Sequence, residues 1–97
     1  MEISSIGSSA LVAAGSAARI HANNIVNPHT PNYTPQTPVF SSVGNGGLAV
    51  FSQNVDQPVS TIRETIGLIS ATHQYEAAAS LIRTSEELSD TFFREIA

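Results

Sequence analysis

Arg19-Ile20-His21-Ala22-Asn23-Asn24-Ile25-Val26-Asn27-Pro28-His29-Thr30-Pro31-Asn32-Tyr33 is the stretch on which the fold turns. A helical pattern runs into it, stops at Pro28 and gives way to an extended, proline-spaced segment. Asn is a mediocre helix former because its amide competes for backbone groups. Three asparagines in the last turns of a helix point to amides held by a particular partner, or fixing the path of the exiting chain.

Upstream, residues 3–27 read as a helix with a 3-4 spaced seam of Ile3, Ile6, Ala10, Ala13, Ala17, Ile20, Asn24 and Asn27. Most of this seam is small or polar. Burying an Ala methyl is worth roughly 0.8 kcal/mol, against about 1.5–3 for an Ile side chain. Gly7 and Gly15 each cost about 1 kcal/mol of helix propensity relative to Ala. Such a helix is weak alone, and its small residues suit close packing in a larger bundle. Pro28 ends it and pushes Asn27 toward extended geometry.

Downstream, residues 28–38 hold the prolines at 28, 31, 35 and 38 and read as an extended surface connector. Val39 to Val43 and Leu48 to Phe51 are short strand candidates around Gly44-Asn45-Gly46-Gly47, a hairpin signal over 39–51. One hairpin is not stable alone and must lie on something. Asp56-Gln57-Pro58 reads as the opening of a second helix over 57–96, with Asp56 as N-cap and Thr61 with Glu64 as a capping box nearby. The expectation is one small domain over 1–97: two unequal helices joined by a short β insertion.

Charge is distributed unevenly. The net charge is −4 with four basic residues, which argues against nucleic acid as a partner. Between Ile3 and Val55 the sole formal charge is Arg19, whereas a solvated amphipathic helix carries charges on its outer face. The first helix offers Ser, Ala, Gly and Asn there instead, the pattern of a helix enclosed by neighbours. There is no cysteine, so disulfides and thiolate metal sites are excluded. No apolar run approaches a membrane span, and Met1-Glu2-Ile3-Ser4 lacks the basic start of a cleaved signal peptide.

No constellation reads as catalytic. His73 and Glu76 share a helix face at i and i+3, but a di-metal site needs carboxylates from other helices, and Glu2 is the first helix's one acid. An exposed helical turn is the better reading, and no metal or cofactor is expected. His21 and His29 have no carboxylate near them in sequence. The glycine cluster at 44–47 lacks the Lys-Ser/Thr of a phosphate loop. Asn32-Tyr33-Thr34 fits the glycosylation pattern, a tripeptide common by chance. The serines and threonines lack a His-Asp/Glu arrangement to activate them. No enzyme is expected.

Ala22-Asn23-Asn24-Ile25-Val26-Asn27 followed by Thr30-Pro31-Asn32-Tyr33 resembles the N-terminal signature of the bacterial flagellar axial proteins, the basal-body rod proteins with their hook and hook-associated relatives. Ala10-Leu11 and Arg19 match the pattern as well. At the far end Asn54-Val55-Asp56, Leu68-Ile69-x-Ala71, Tyr75-Glu76-Ala77, Ile82-x-Thr84 and Glu87-Leu88 look like that family's C-terminal helix. Asn32 stands where the family usually has Gly, and both tolerate a left-handed backbone. Val26 replaces a usual Ala, Pro28 enters early, and the middle has room for one hairpin alone.

The resemblance implies a mainly α fold whose long N- and C-terminal helices form a coiled-coil-like antiparallel pair. It implies a structural rod subunit that joins copies of itself and other rod or axial proteins. The flagellar type III export apparatus would carry it to the basal body without a cleaved signal, with no direct membrane insertion. The expected assembly residues are Ile6, Ala10, Ala13, Ala17, Arg19, Ile20, Asn23, Asn24, Asn27 and Tyr33 at the first helix and its exit. Ile69, Tyr75, Ala78 and Ile82 are their counterparts on the second. The competing expectation is a soluble helical adaptor or regulator that kept rod-like ends and binds an axial or secretion component without entering the tube.

Overall fold

The computed structural model describes residues 3–44 and 46–96. Four elements follow in order: α1 (Ile3–Val26), β1 (Gln36–Ser42), β2 (Leu48–Asn54) and α2 (Thr61–Ile96). The molecule is long and thin, 62 × 25 × 16 Å, because α2 alone extends about 54 Å at 1.5 Å per residue. The helices run in opposite directions. Gly7 lies against Ala78 and Ile82, Gly15 against the Tyr75 ring, and Gly67 against His21.

Small residues make the close approach possible. The buried apolar residues are Ala13, Ala14 and Ala17 of α1 with Ala71 and Ala78 of α2. A Cβ placed on Gly7 would come within 2.8 Å of Ile82 Cγ1, and one on Gly67 within 2.5 Å of the His21 ring. Glycine is therefore required by space at both positions, although each weakens its helix. Gly15 is different: a Cβ there would meet Tyr75 at an ordinary 3.7 Å.

β1 and β2 pair antiparallel with Val39 opposite Phe51, and the pair packs on α1. The hairpin is longer than its apolar runs suggest. Pro38, expected in the connector, lies inside β1 opposite Ser52. The ladder accounts for it: Val55 N–H donates to Pro35 O and Val43 N–H to Gly47 O. These fix the odd-numbered residues of β1 as the ones that bond to β2, so Pro38 faces the free edge, where a missing N–H costs nothing. Gly46, with φ of 84°, makes the turn; Asn45 lies outside the described residues.

The start of α2 also differs from expectation. The ladder holds the chain through Val55, so residues 56–60 must reverse its direction before a helix can begin. Ser60 is the cap in place of Asp56: Arg63 N–H donates to Ser60 Oγ at 3.3 Å and Glu64 N–H to Ser60 O at 2.9 Å. Glu64, expected in a capping box with Thr61, turns to His21 instead.

Candidate functional site

The end of the molecule where α1 exits is built around Asn24, the largest fully buried side chain, at 0% exposure. A buried amide is costly unless its hydrogen bonds are made, and this one is supplied. Its Nδ2 donates to Gln36 O at 2.6 Å. Its Oδ1 accepts from the Tyr33 hydroxyl at 2.5 Å and from Gln36 N–H at 3.1 Å. Gln36 is an even-numbered residue of β1, so both of its backbone groups face the free edge. Asn24 thus bonds to that edge as a neighbouring strand would.

Asn27 and Thr30 shape the exit. Asn27 N–H and its side-chain amide both donate to Asn23 O, at 3.1 and 3.0 Å. Thr30 Oγ1 donates to Asn27 Oδ1 at 3.1 Å. Tyr33 N–H then closes onto Thr30 O at 3.1 Å. Pro31 and Asn32 are the central residues of this turn, and Asn32 has φ of 66°. Proline followed by a positive φ is the signature of a type II turn, which returns the Tyr33 hydroxyl to Asn24.

Two pairings join distant parts of the chain. His21 Nδ1 and Glu64 Oε2 are 2.6 Å apart, with both side chains about five-sixths buried (16% and 15% exposed). The imidazole also lies flat on Gly67. Ser9 Oγ donates to Leu48 O at 2.7 Å and accepts from Leu48 N–H at 2.6 Å. Leu48 faces the free edge of β2, so α1 fixes the outer edge of one strand through Asn24 and of the other through Ser9. Burial raises the Tyr33 phenol above its ordinary pKa, and the charge of Glu64 adds to this. Among the described residues no buried side-chain polar atom lacks a partner.

The expected assembly residues occupy three kinds of place. Ala13, Ala17 and Ala78 are buried between the helices. Ile6 sits beneath Gly46 and Ile82 beside Gly7, while Ala10, Ile20, Asn27 and Tyr33 are half-buried. Arg19 and Asn23 are exposed, as are Ile69 and, although its ring covers Gly15, Tyr75. Ser9, His21, Glu64, Gly67 and Ala71 make further contacts between the elements of the chain, and sequence reasoning did not single them out as a site. The spacing of Gly67 and Ala71 was the available signal, since small residues four apart mark a helix face open to close contact.

His73 and Glu76 are both exposed on α2, and among the described residues no group of three His, Cys, Asp or Glu gathers to hold a metal. None of the described helices is long and apolar enough to cross a membrane. Residues 58–94 match the family model described as the flagellar basal body rod FlgEFG protein C-terminal region, a match over less than half of the chain. No curated protein matches the chain.

Proposed function

We propose, from the match of residues 58–94 to the flagellar basal body rod C-terminal family model, that the chain is a flagellar rod-family protein and a subunit of the bacterial basal-body rod. The family domain points to a structural, non-enzymatic role in the basal body. In the proposed assembly the terminal helices contact copies of this chain and other axial proteins. Delivery is by the flagellar type III apparatus, and nucleic acid and the bilayer interior take no part. The residues proposed to carry assembly are the α1 seam around Ala13 and Ala17, the corner at Asn23, Asn24 and Asn27, and Ile69 and Ile82 on α2.

One observation carries this reading. The two helices bury alanines against each other, while Ile62, Ile66, Ile69, Leu88, Phe92 and Phe93 of α2 all stay more than half exposed. A protein that acted alone would enclose those side chains first, since each is worth about 1.5–3 kcal/mol of burial. An assembling helix keeps them for its neighbours.

The test is co-purification with detergent-extracted basal bodies after stringent washing. Retention at several copies per particle is expected. Absence from the particles of motile cells that express the protein would sink the assignment. The adaptor reading draws on the Asn24 and Ser9 bonds, which tie the hairpin to α1 within a single copy. Hydrogen exchange on the dilute chain separates the two: an adaptor protects both helices, whereas a rod subunit protects neither outer end.

A further inference from the structure

The two outer edges of the hairpin are closed to different extents. In β1, Asn24 occupies both backbone groups of Gln36. The next residue to face outward is Pro38, which has no N–H to offer. In β2, Ser9 occupies both backbone groups of Leu48, and the next residues to face outward are Val50, Ser52 and Asn54. None of these is a proline, and among the described residues nothing bonds to their outward N–H and C=O groups; Gln36 reaches the Asn54 side chain alone. The path of α1 is the cause. Ser9 meets the hairpin near the turn of β2 and Asn24 meets it at the base of β1, about 22 Å apart along the helix. The helix therefore crosses the pair diagonally and leaves the base of β2 uncovered.

Strand edges are ordinarily blunted by charge, by proline or by cover, because their free backbone groups invite another strand. The base of β2 has none of these among the described residues. No Asp, Glu, Lys or Arg stands anywhere from Thr30 to Val55, and Phe51 to Asn54 are all exposed. Phe51 is 62% exposed and, with its cross-strand neighbour Val39, forms an apolar patch on one side of the ladder. An uncharged strand of this kind meets no repulsion from a copy of itself.

We propose that the open edge of β2 pairs antiparallel with the same edge of a second copy, about a twofold axis at Ser52. Ser52 exchanges both backbone bonds with its counterpart, and Val50 does so with Asn54 of the other copy, in both directions. This register uses all three free residues. It stops at Asn54, where β2 ends, and short of Leu48, whose groups Ser9 already holds. A register centred on Phe51 sets Asn54 against that occupied Leu48. The pairing continues the β1–β2 ladder into a four-stranded sheet, past the three strands that give a sheet independent stability. It also places the two Phe51 side chains diagonally across the new ladder, about 7–8 Å apart and within aromatic reach. The contact is isologous, so the pair closes on itself and does not propagate. It goes beyond the rod reading, which needs a contact that propagates, and is independent of it.

The chain contains no cysteine, which allows a direct test on the purified full chain. Ser52→Cys is oxidised beside Ser41→Cys, an exposed position on the other strand. Hydrogen-bonded antiparallel partners have Cα atoms about 5.5 Å apart, within the reach of a disulfide. A covalent dimer of Ser52→Cys is expected, with little or none from Ser41→Cys. Sedimentation of the wild type over a concentration series should show a dimer. Ser52→Lys sets like charges opposite each other and should raise its dissociation constant by about fivefold at low salt, an effect that high salt reduces. Ser52 is exposed, so the variant should keep the wild-type circular dichroism. A wild type that stays monomeric throughout the series without a Ser52→Cys adduct overturns the proposal. So does a dimer that Ser52→Lys leaves unchanged, or equal cross-linking of Ser41→Cys. If this pair forms but the protein is missing from basal bodies, the rod assignment fails and the pairing stands. If the protein is retained in basal bodies but the pair does not form, the reverse holds.

Discussion

At the scale of single residues, Asn24 decides whether the hairpin stays registered on α1. Its amide serves the Tyr33 hydroxyl and both backbone groups of Gln36 at once. Asn24→Ala leaves three polar groups in a buried corner without a partner, and each such group costs about 1–3 kcal/mol unless water reaches it. Urea denaturation should show a loss at the upper end of that range. Tyr33 adds a pH dependence. Its phenol is raised above the ordinary value of about 10 by burial first and the charge of Glu64 second. The folded state therefore favours the neutral phenol: its contribution is complete below about pH 10 and is lost as pH rises through the higher folded value. Melting temperatures measured from pH 8 to 11 should fall at the alkaline end, and less steeply in Tyr33→Phe.

At the scale of elements, the glycines of the helix pair divide by the space around them. Gly15 has room for a methyl group beside Tyr75, so Gly15→Ala should gain most of the helix propensity difference, about 0.5–1 kcal/mol. Gly67 has none, because the His21 ring occupies the site. Gly67→Ala must displace that ring and break its 2.6 Å contact with Glu64. Overpacking costs about 1–3 kcal/mol, which exceeds the propensity gain, and the net change should be destabilising. Opposite shifts of the urea midpoint in the two variants are the expected outcome. Equal stabilisation would mean that His21 does not hold the helices at this distance. The hairpin is an element of the same dependent kind: its outer edges are held by Asn24 and Ser9, so it has no stability apart from α1.

At the scale of the whole molecule, the small core and the exposed apolar face of α2 belong together. Among the described residues five buried alanines contribute about 0.8 kcal/mol per methyl, little against the ordering entropy of two long helices. The stability of an isolated chain should be low, and a neighbour that covers α2 should raise it by mass action. Ala13, 3% exposed, tests this dependence. Ala13→Glu places an unpaired carboxylate between the helices, which is strongly unfavourable. Immunoblots should show normal synthesis of this variant and none of it in washed basal bodies. Normal incorporation would mean that the α1–α2 seam is not the surface on which assembly depends.

The sequence by itself determined the helix break at Pro28, the hairpin about its glycine cluster and the need of the asparagines for partners, and the family resemblance pointed to a left-handed backbone at Asn32. Each depends on backbone sterics or hydrogen-bonding capacity within a few neighbouring residues. The alanine spacing also marked the close-packed face of α1 before any partner was placed on it, whereas Gly7 was read only as a cost to the helix and proved to lie on that face against Ile82. Only the tertiary structure decided which partners those were. His21 meets Glu64 across 43 residues and Ser9 meets Leu48 across 39, distances over which no local preference acts. It also moved the start of α2 to Thr61 and admitted Pro38 to a strand, because the ladder sets which backbone groups face outward. Side chains far apart in sequence can pair only once two helices have settled at one separation, and here that separation is set by Gly7 and Gly67.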